Sequence, residues 1–234
     1  MGTAERKARE KSMRQRQILR ASYRVFDEVG FSAATMDQIA ERAELAKGTI
    51  YLYFKSKEEV YFSLLTDGLD ILIRLLQEID RQVPPPERLL ERTAATLLRF
   101  YEEHTGYFRM FMLMQQEDMR AKLSAELSDK INERATTILN LIAHQIVQHG
   151  KGPAARPKNA WQVANVLWGS FNGIAQLTLT RERLKARPAR IEDLLHLCFT
   201  LIERGLQSWP ETVSTGYSKR TKTPAKAALR SNAR

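Results

Sequence analysis

The stretch Thr35-Met-Asp-Gln-Ile-Ala-Glu-Arg-Ala-Glu-Leu-Ala-Lys-Gly-Thr-Ile-Tyr-Leu-Tyr-Phe54 decides the fold. Thr35 can cap a helix, Gln38 three residues on closes a capping box, and Met36, Ile39, Ala40 and Ala43 fall inside the helix so started. A turn at Glu44 and Leu45 leads to another short helix, roughly Ala46 to Phe54, with Ala46, Ile50 and Phe54 on one face. Its other face carries Lys47, Thr49, Tyr51 and Tyr53. Upstream, Ile18, Leu19, Ser22, Val25, Phe26 and Val29 recur at three- and four-residue steps, and Gly30 can enter the left-handed conformation past the helix end. Three short helices, the last two joined by a tight turn, predict a helix-turn-helix that offers its last helix to a DNA major groove.

The residue types on that helix suit the task. Gly48 lets backbone approach phosphate, Lys47 supplies charge, and the hydroxyls of Thr49, Tyr51 and Tyr53 can bond phosphate oxygens or base edges. Either tyrosine could instead be a half-buried core aromatic, and Lys47 alone would read as a solvated lysine. Thr35 and Lys57 sit near helix N-termini, where backbone amides favour phosphate. Phe31-Ser-Ala-Ala-Thr-Met-Asp-Gln-Ile-Ala40 followed by Lys47-Gly-Thr-Ile-Tyr-Leu-Tyr-Phe-Lys-Ser-Lys-Glu-Glu59 resembles the N-terminal domain of the tetracycline-repressor (TetR) family, over about residues 13 to 62. That resemblance implies a homodimeric repressor, an all-α fold with a ligand-binding C-terminal domain, and DNA contacts at Thr35, Lys47, Gly48, Thr49, Tyr51, Tyr53 and Lys57. The family usually has glycine where this chain has Glu44, which must then accept a conformation costly for a residue with a β-carbon.

Further along, Ser56 with Glu59 forms a second capping box, opening a long helix through about Asp80 with Tyr61, Leu64, Leu65, Leu72, Leu75, Leu76 and Ile79 along a stripe. Pro84, Pro85 and Pro86 stop it. Helices are expected near Glu87 to His104, Gly106 to Met114, Glu117 to Gln148, Lys158 to Thr180 and Ile191 to Ser208, with linkers at 150–157 and 186–188. The domain organisation expected is a basic mobile arm over 1–12, the helix-turn-helix over 13–60, a helical ligand-binding and dimerisation domain over 61–210, and a basic disordered tail over 211–234.

Composition agrees with an all-helical chain, since 11 glycines and 8 prolines in 234 residues are too few to punctuate many short strands. The net charge of +10 and pI of about 9.8 favour polyanions, whether nucleic acid, an acidic partner or a membrane surface, with solubility as the bland alternative. Cys198 alone excludes an internal disulfide and a cysteine-based zinc site. It sits among Leu194, Leu195, Leu197, Phe199 and Leu201 as a small hydrophobe. His104, His144, His149 and His196 are scattered, no phosphate-cradling glycine loop occurs, and neither an enzyme nor a cofactor is expected. The absence of an apolar run long enough to span a bilayer points to a cytoplasmic protein without a membrane partner.

The second half carries no comparably specific motif. His104, Tyr107, Phe108, Met110, Phe111 and Met114, with Trp168 and Phe171, are candidate walls of a lipophilic pocket, and core packing explains them equally well. Arg109 is, with His104, the nearby group able to orient an acidic head. Trp161, Leu167, Gly169, Gly173, Leu177, Leu195, Phe199 and Ile202 resemble the family's two-helix contribution to a four-helix dimer interface, with intramolecular packing as the alternative. The expected function is a regulator binding a palindromic double-stranded DNA operator as a homodimer and released by a small lipophilic ligand. A DNA-binding dimer without such an inducer, controlled by a protein partner or acting architecturally, is the other reading.

Overall fold

A computed structural model describes residues 2–82, 89–149, 155–184 and 190–207. Among the described residues there are ten helices and no strand: α1 (Thr3–Ala33), α2 (Met36–Arg42), α3 (Lys47–Tyr51), α4 (Lys57–Gln82), α5 (Leu89–Glu103), α6 (Thr105–Met114), α7 (Glu117–Arg120), α8 (Ala125–His149), α9 (Pro157–Leu184) and α10 (Ile191–Gln207). The three prolines at 84–86, most of the 150–157 linker, the 186–188 linker and the tail over 211–234 lie outside the described residues. No helix among the described residues is long and apolar enough to cross a membrane.

The N-terminal unit follows from its local signals. Helix α1 buries Ile18, Ala21, Ser22, Val25 and Phe26, and its helical path breaks at Gly30, where φ is 76°. Thr35 caps α2 as a full box: its hydroxyl accepts from the Gln38 amide at 3.2 Å, and its own amide donates to Gln38 Oε1 at 2.9 Å. Glu44 then turns the chain at φ 55°, the single non-glycine residue with positive φ among those described, and the Leu45 amide reaches back to the Ala40 carbonyl at 2.9 Å. At the head of α4, Ser56 Oγ accepts from the Glu59 amide at 3.2 Å. The Glu59 carboxylate bonds the Lys55 amide rather than that of Ser56, at 2.6 Å.

Three expectations are corrected. Residues 3–12, expected within a basic mobile arm over 1–12, are helical and form the exposed opening turns of α1. Good helix formers there extend a helix already nucleated by the packed turns behind them, and Arg6 pairs with Glu10 one turn on at 3.5 Å. Ala46 is exposed as the N-cap of α3, so its inner face rests on Ile50, with Phe54 just beyond the helix end. The long helix expected over Glu117 to Gln148 is two, because Ser124 interrupts it and caps α8, its Oγ accepting from the Leu127 amide at 3.3 Å.

Helix α4 links the two ends of the molecule. It packs on α1 at one end and on α5, α6 and α8 along its length, while α8 packs on α9 and α10 on both α5 and α9. The stripe Tyr61, Leu64, Leu65, Leu72, Leu75, Leu76 and Ile79 is buried throughout. Where α1 and α6 meet, the rings of Tyr23 and Tyr107 lie tilted against each other with centroids 4.8 Å apart, and neighbouring glycines make room for them. A β-carbon at Gly68 would stand 2.7 Å from the Tyr107 ring, and one at Gly106 would collide with the Tyr23 hydroxyl.

Candidate nucleic-acid interface

Helix α3 lies on the surface, anchored by Ile50 and Phe54. Lys47, Gly48 and Tyr51 are exposed, Thr49 is half-buried, and nothing lies within 4 Å of where a Gly48 β-carbon would be, so a backbone could approach there. Tyr53 is also half-buried and packs on the core, leaving Tyr51, 45% exposed, as the more outward ring. Leu52, 80% exposed, is the most exposed of the large apolar side chains among the described residues and was not among the expected contacts. An apolar residue between two tyrosines on a solvated helix end was its signal, and such a side chain suits a thymine methyl.

Thr35, exposed at the start of α2, spends its hydroxyl on the capping box. Lys47 Nζ lies 2.7 and 3.0 Å from the two Asp37 oxygens, and this hydrogen bond with its charge holds the ammonium pKa above the ordinary lysine value. The pair is exposed, so a phosphate can compete for the lysine. Lys57 departs from expectation. Its Nζ donates to the carbonyls of Phe31 at 2.7 Å, Ala34 at 2.8 Å and Ser32 at 3.3 Å, and sits 4.5 Å over the Phe31 ring. The break at Gly30 leaves those carbonyls without helical partners, and the ammonium fastens α4 to them. Arginines add positive field nearby: Arg14, Arg16, Arg20 and Arg24 of α1 line an open groove with Arg42 beside the Glu44 turn. Arg20 and Arg24, one turn apart on the polar side of α1, were legible as a basic face but were not singled out.

In the C-terminal half, the expected pocket walls divide. Phe108 and Phe171 are fully buried with ring centroids 5.6 Å apart, Trp168 lies tilted against Phe171 at 5.8 Å and edge-on to Phe111 at 6.1 Å, and Met110 and Met114 are buried. These rings fill one another's space. His104 lies near Phe100 and Tyr107, whose hydroxyl pKa is pushed up to about 12 by burial and by nearby Asp67 and Tyr23. A cavity of about 570 Å³ does exist, but between the ends of α1 and α4 and the faces of α6 and α9, and of the eight expected residues only Met110 lines it.

The expected interface residues divide as well. Leu167, Leu195 and Phe199 are buried inside the subunit, because they sit on the faces of α9 and α10 that pack inward, and so are removed from the candidate interface. Trp161, Gly169, Gly173 and Leu177 are exposed on the opposite side of α9, and Ile202 is half-buried. Val166, Leu197 and Leu201 join them, at 55%, 57% and 60% exposure. No atom lies within 4 Å of a β-carbon placed at Gly169 or Gly173.

A capped helix-turn-helix with an exposed polar and aromatic last helix, carried on an all-helical body, defines the class of helix-turn-helix transcriptional regulators. Residues 18–64 match the model of the bacterial regulatory proteins of the tetR family, so the helix-turn-helix of this chain is one of that family's type. Over 144 residues it is 29% identical to the HTH-type transcriptional regulator YhgD of Bacillus subtilis, covering 62% of this chain and 73% of that protein. Over 126 residues it is 30% identical to the fatty acid metabolism regulator protein of the same organism, covering 54% of this chain and 62% of the relative. The crystal structure of the Bacillus subtilis transcriptional regulator FadR in complex with stearoyl-CoA superposes with a TM-score of 0.61 at 22% identity, covering 80% of this chain and 96% of that one.

Proposed function

We propose that the chain is a repressor that binds a near-palindromic DNA operator as a homodimer and is released by a small lipophilic ligand. The observation that carries this reading is the outward face of α3, where Lys47, Gly48 and Tyr51 stand exposed on a helix held rigidly by buried Ile50. Thr35, Thr49 and the hydroxyl of Tyr53 flank that face, and Leu52 adds an apolar contact. One such helix covers only a few base pairs, so useful specificity needs two half-sites, with centres about 34 to 36 Å apart or a multiple of that. The exposed apolar side of α9 and α10 supports a second copy as the partner that sets this spacing. The fatty acid metabolism regulator among its relatives, and the stearoyl-CoA held by FadR, support an acyl-bearing ligand.

Selection of bound duplexes from a random pool tests the reading. A two-fold symmetric motif should be enriched, and affinity for it should fall steeply as salt rises, because lysine and arginine displace counterions from phosphate. Binding without sequence enrichment, or affinity independent of salt, overturns it.

A further inference from the structure

We propose that the cavity where the two domains meet seats an anionic amphiphile, with its acidic head on Arg109 and its tail among Phe31, Met112, Leu113 and Leu179. The inference rests on the ligand-responsive reading above and adds the place and the chemistry. At about 570 Å³ the cavity falls within the usual range for small-molecule sites, roughly 300 to 1,000 Å³. Its wall is unevenly polar. Phe26, Phe31, Met110, Met112, Leu113 and Leu179 form apolar surface, and thioethers adapt to irregular chains.

The charged part of the wall consists of Arg109 and Asp27. Their nearest atoms are 3.9 Å apart, beyond hydrogen-bond distance, and each side chain is 52% exposed. Arg109 is therefore only loosely engaged, and its planar fork can take a carboxylate or a phosphate at two oxygens. Asp27 opposes an incoming anion, so the head must bond the guanidinium on the side away from it. Gln116, Gln176 and Thr180 supply neutral hydrogen-bonding groups to the same wall.

The position of the cavity gives the seat a consequence for DNA binding. Gly30 and Phe31 are part of its wall, and Phe31 is the residue whose carbonyl and ring hold Lys57. Four residues beyond it, Thr35 caps α2. An occupant that shifts Phe31 loosens the Lys57 fastening and re-aims α2 and α3 from within their own domain. Phe108 and Phe171, buried with ring centroids 5.6 Å apart, pack on each other and do not line this cavity.

Calorimetric titration of the full chain with decanoate, decyl phosphate, decanol and decyltrimethylammonium, all below micelle-forming concentrations, tests the seat. Both anions should bind, decanol about tenfold or more weaker, and the cation not at all. The better of the two anions identifies the head as carboxylate or phosphate. Arg109→Ala should abolish the preference for anion over alcohol, Asp27→Asn should tighten anion binding several-fold, and Met112→Trp should remove binding by filling the space. Equal binding of decanoate and decanol by the parent, an undiminished anion preference in Arg109→Ala, or no binding of any probe overturns the proposal. Duplex binding by the ligand-free protein is measured alongside. Its absence would overturn the regulator reading while leaving the titration result for the cavity intact.

Discussion

The helix-turn-helix and the helical bundle behind it obey the same packing physics, yet they differ in how much each side chain reveals. In the first, the apolar positions share a single inside: Ile18, Ile39 and Ile50 are wholly buried, and the faces opposite them are polar. In the bundle, apolar residues occupy more than one face of a helix, and three destinations compete for them. On α9, Leu167 and Phe171 go to the subunit core, Leu179 to a cavity wall, and Trp161, Val166 and Leu177 to solvent. Periodicity separates inside from outside only where there is a single inside.

The largest effect expected from breaking this contrast is at Gly173. Inside the subunit a β-carbon there meets nothing within 4 Å beyond its own helix backbone, and a leucine removes a helix-weakening glycine, so the monomer should be as stable as the parent or more so. Across a close helix pair the same side chain costs about 1 to 3 kcal/mol, incurred twice in a symmetric dimer. Gly173→Leu should therefore dissociate at much higher concentration and lose operator affinity while keeping its thermal unfolding. Sedimentation and operator titration on one sample check it, and a stable dimer with full affinity would remove this face from the proposed assembly.

Next in size is Lys57→Met, which deletes a cation bonded to three carbonyls and an aromatic face. A loss of about 2 kcal/mol is expected for hydrogen bonds to a charged group, seen as a lower denaturant midpoint. The same variant sharpens the assignment of charge. Lys47→Ala should lower the salt slope of duplex binding by about one unit, whereas Lys57→Met should leave it unchanged. A unit drop for Lys57→Met would return that lysine to the phosphate contacts. More selective is Tyr51→Ala, expected to cost about 1 to 3 kcal/mol on the selected site and little on random duplex, in paired titrations. An equal loss on both would make the tyrosine a phosphate contact.

These cases mark what could be read in advance. The capping box at Thr35, the Ser56 cap of α4 and the stripe of α4 were legible because each depends on residues a few positions apart, whereas the unusual backbone at Glu44 was legible through the family resemblance. The role of Lys57 was not, since its partners lie 23 to 26 positions away and are backbone carbonyls that carry no residue signature. The cavity was hidden for a related reason. Its wall combines Asp27 from α1, Arg109 from α6 and Thr180 from α9, and an unfilled volume leaves no pattern in any one helix. Leu167, Leu195 and Phe199 were misplaced because an inward and an outward apolar face read alike when both are wanted.

The smallest effect tests the most local statement. Glu44 holds φ at 55°, a left-handed conformation that crowds a β-carbon and costs an ordinary residue about 1 kcal/mol or more. Glycine removes that strain but returns part of the gain, because its unfolded chain has more freedom to lose, by roughly 0.4 to 1 kcal/mol. Asparagine tolerates the same conformation without that entropic loss. Glu44→Asn should thus raise stability by about 0.5 to 1 kcal/mol, and Glu44→Gly by less, a shift of a few degrees in Tm for a unit of this size. Glu44 also lines the arginine groove, so charge must be separated from backbone strain. Glu44→Gln removes the charge and keeps the β-carbon strain. If it stabilises as much as Glu44→Asn, repulsion or desolvation of the carboxylate, and not the turn, is the cause, and the local reading of this residue fails.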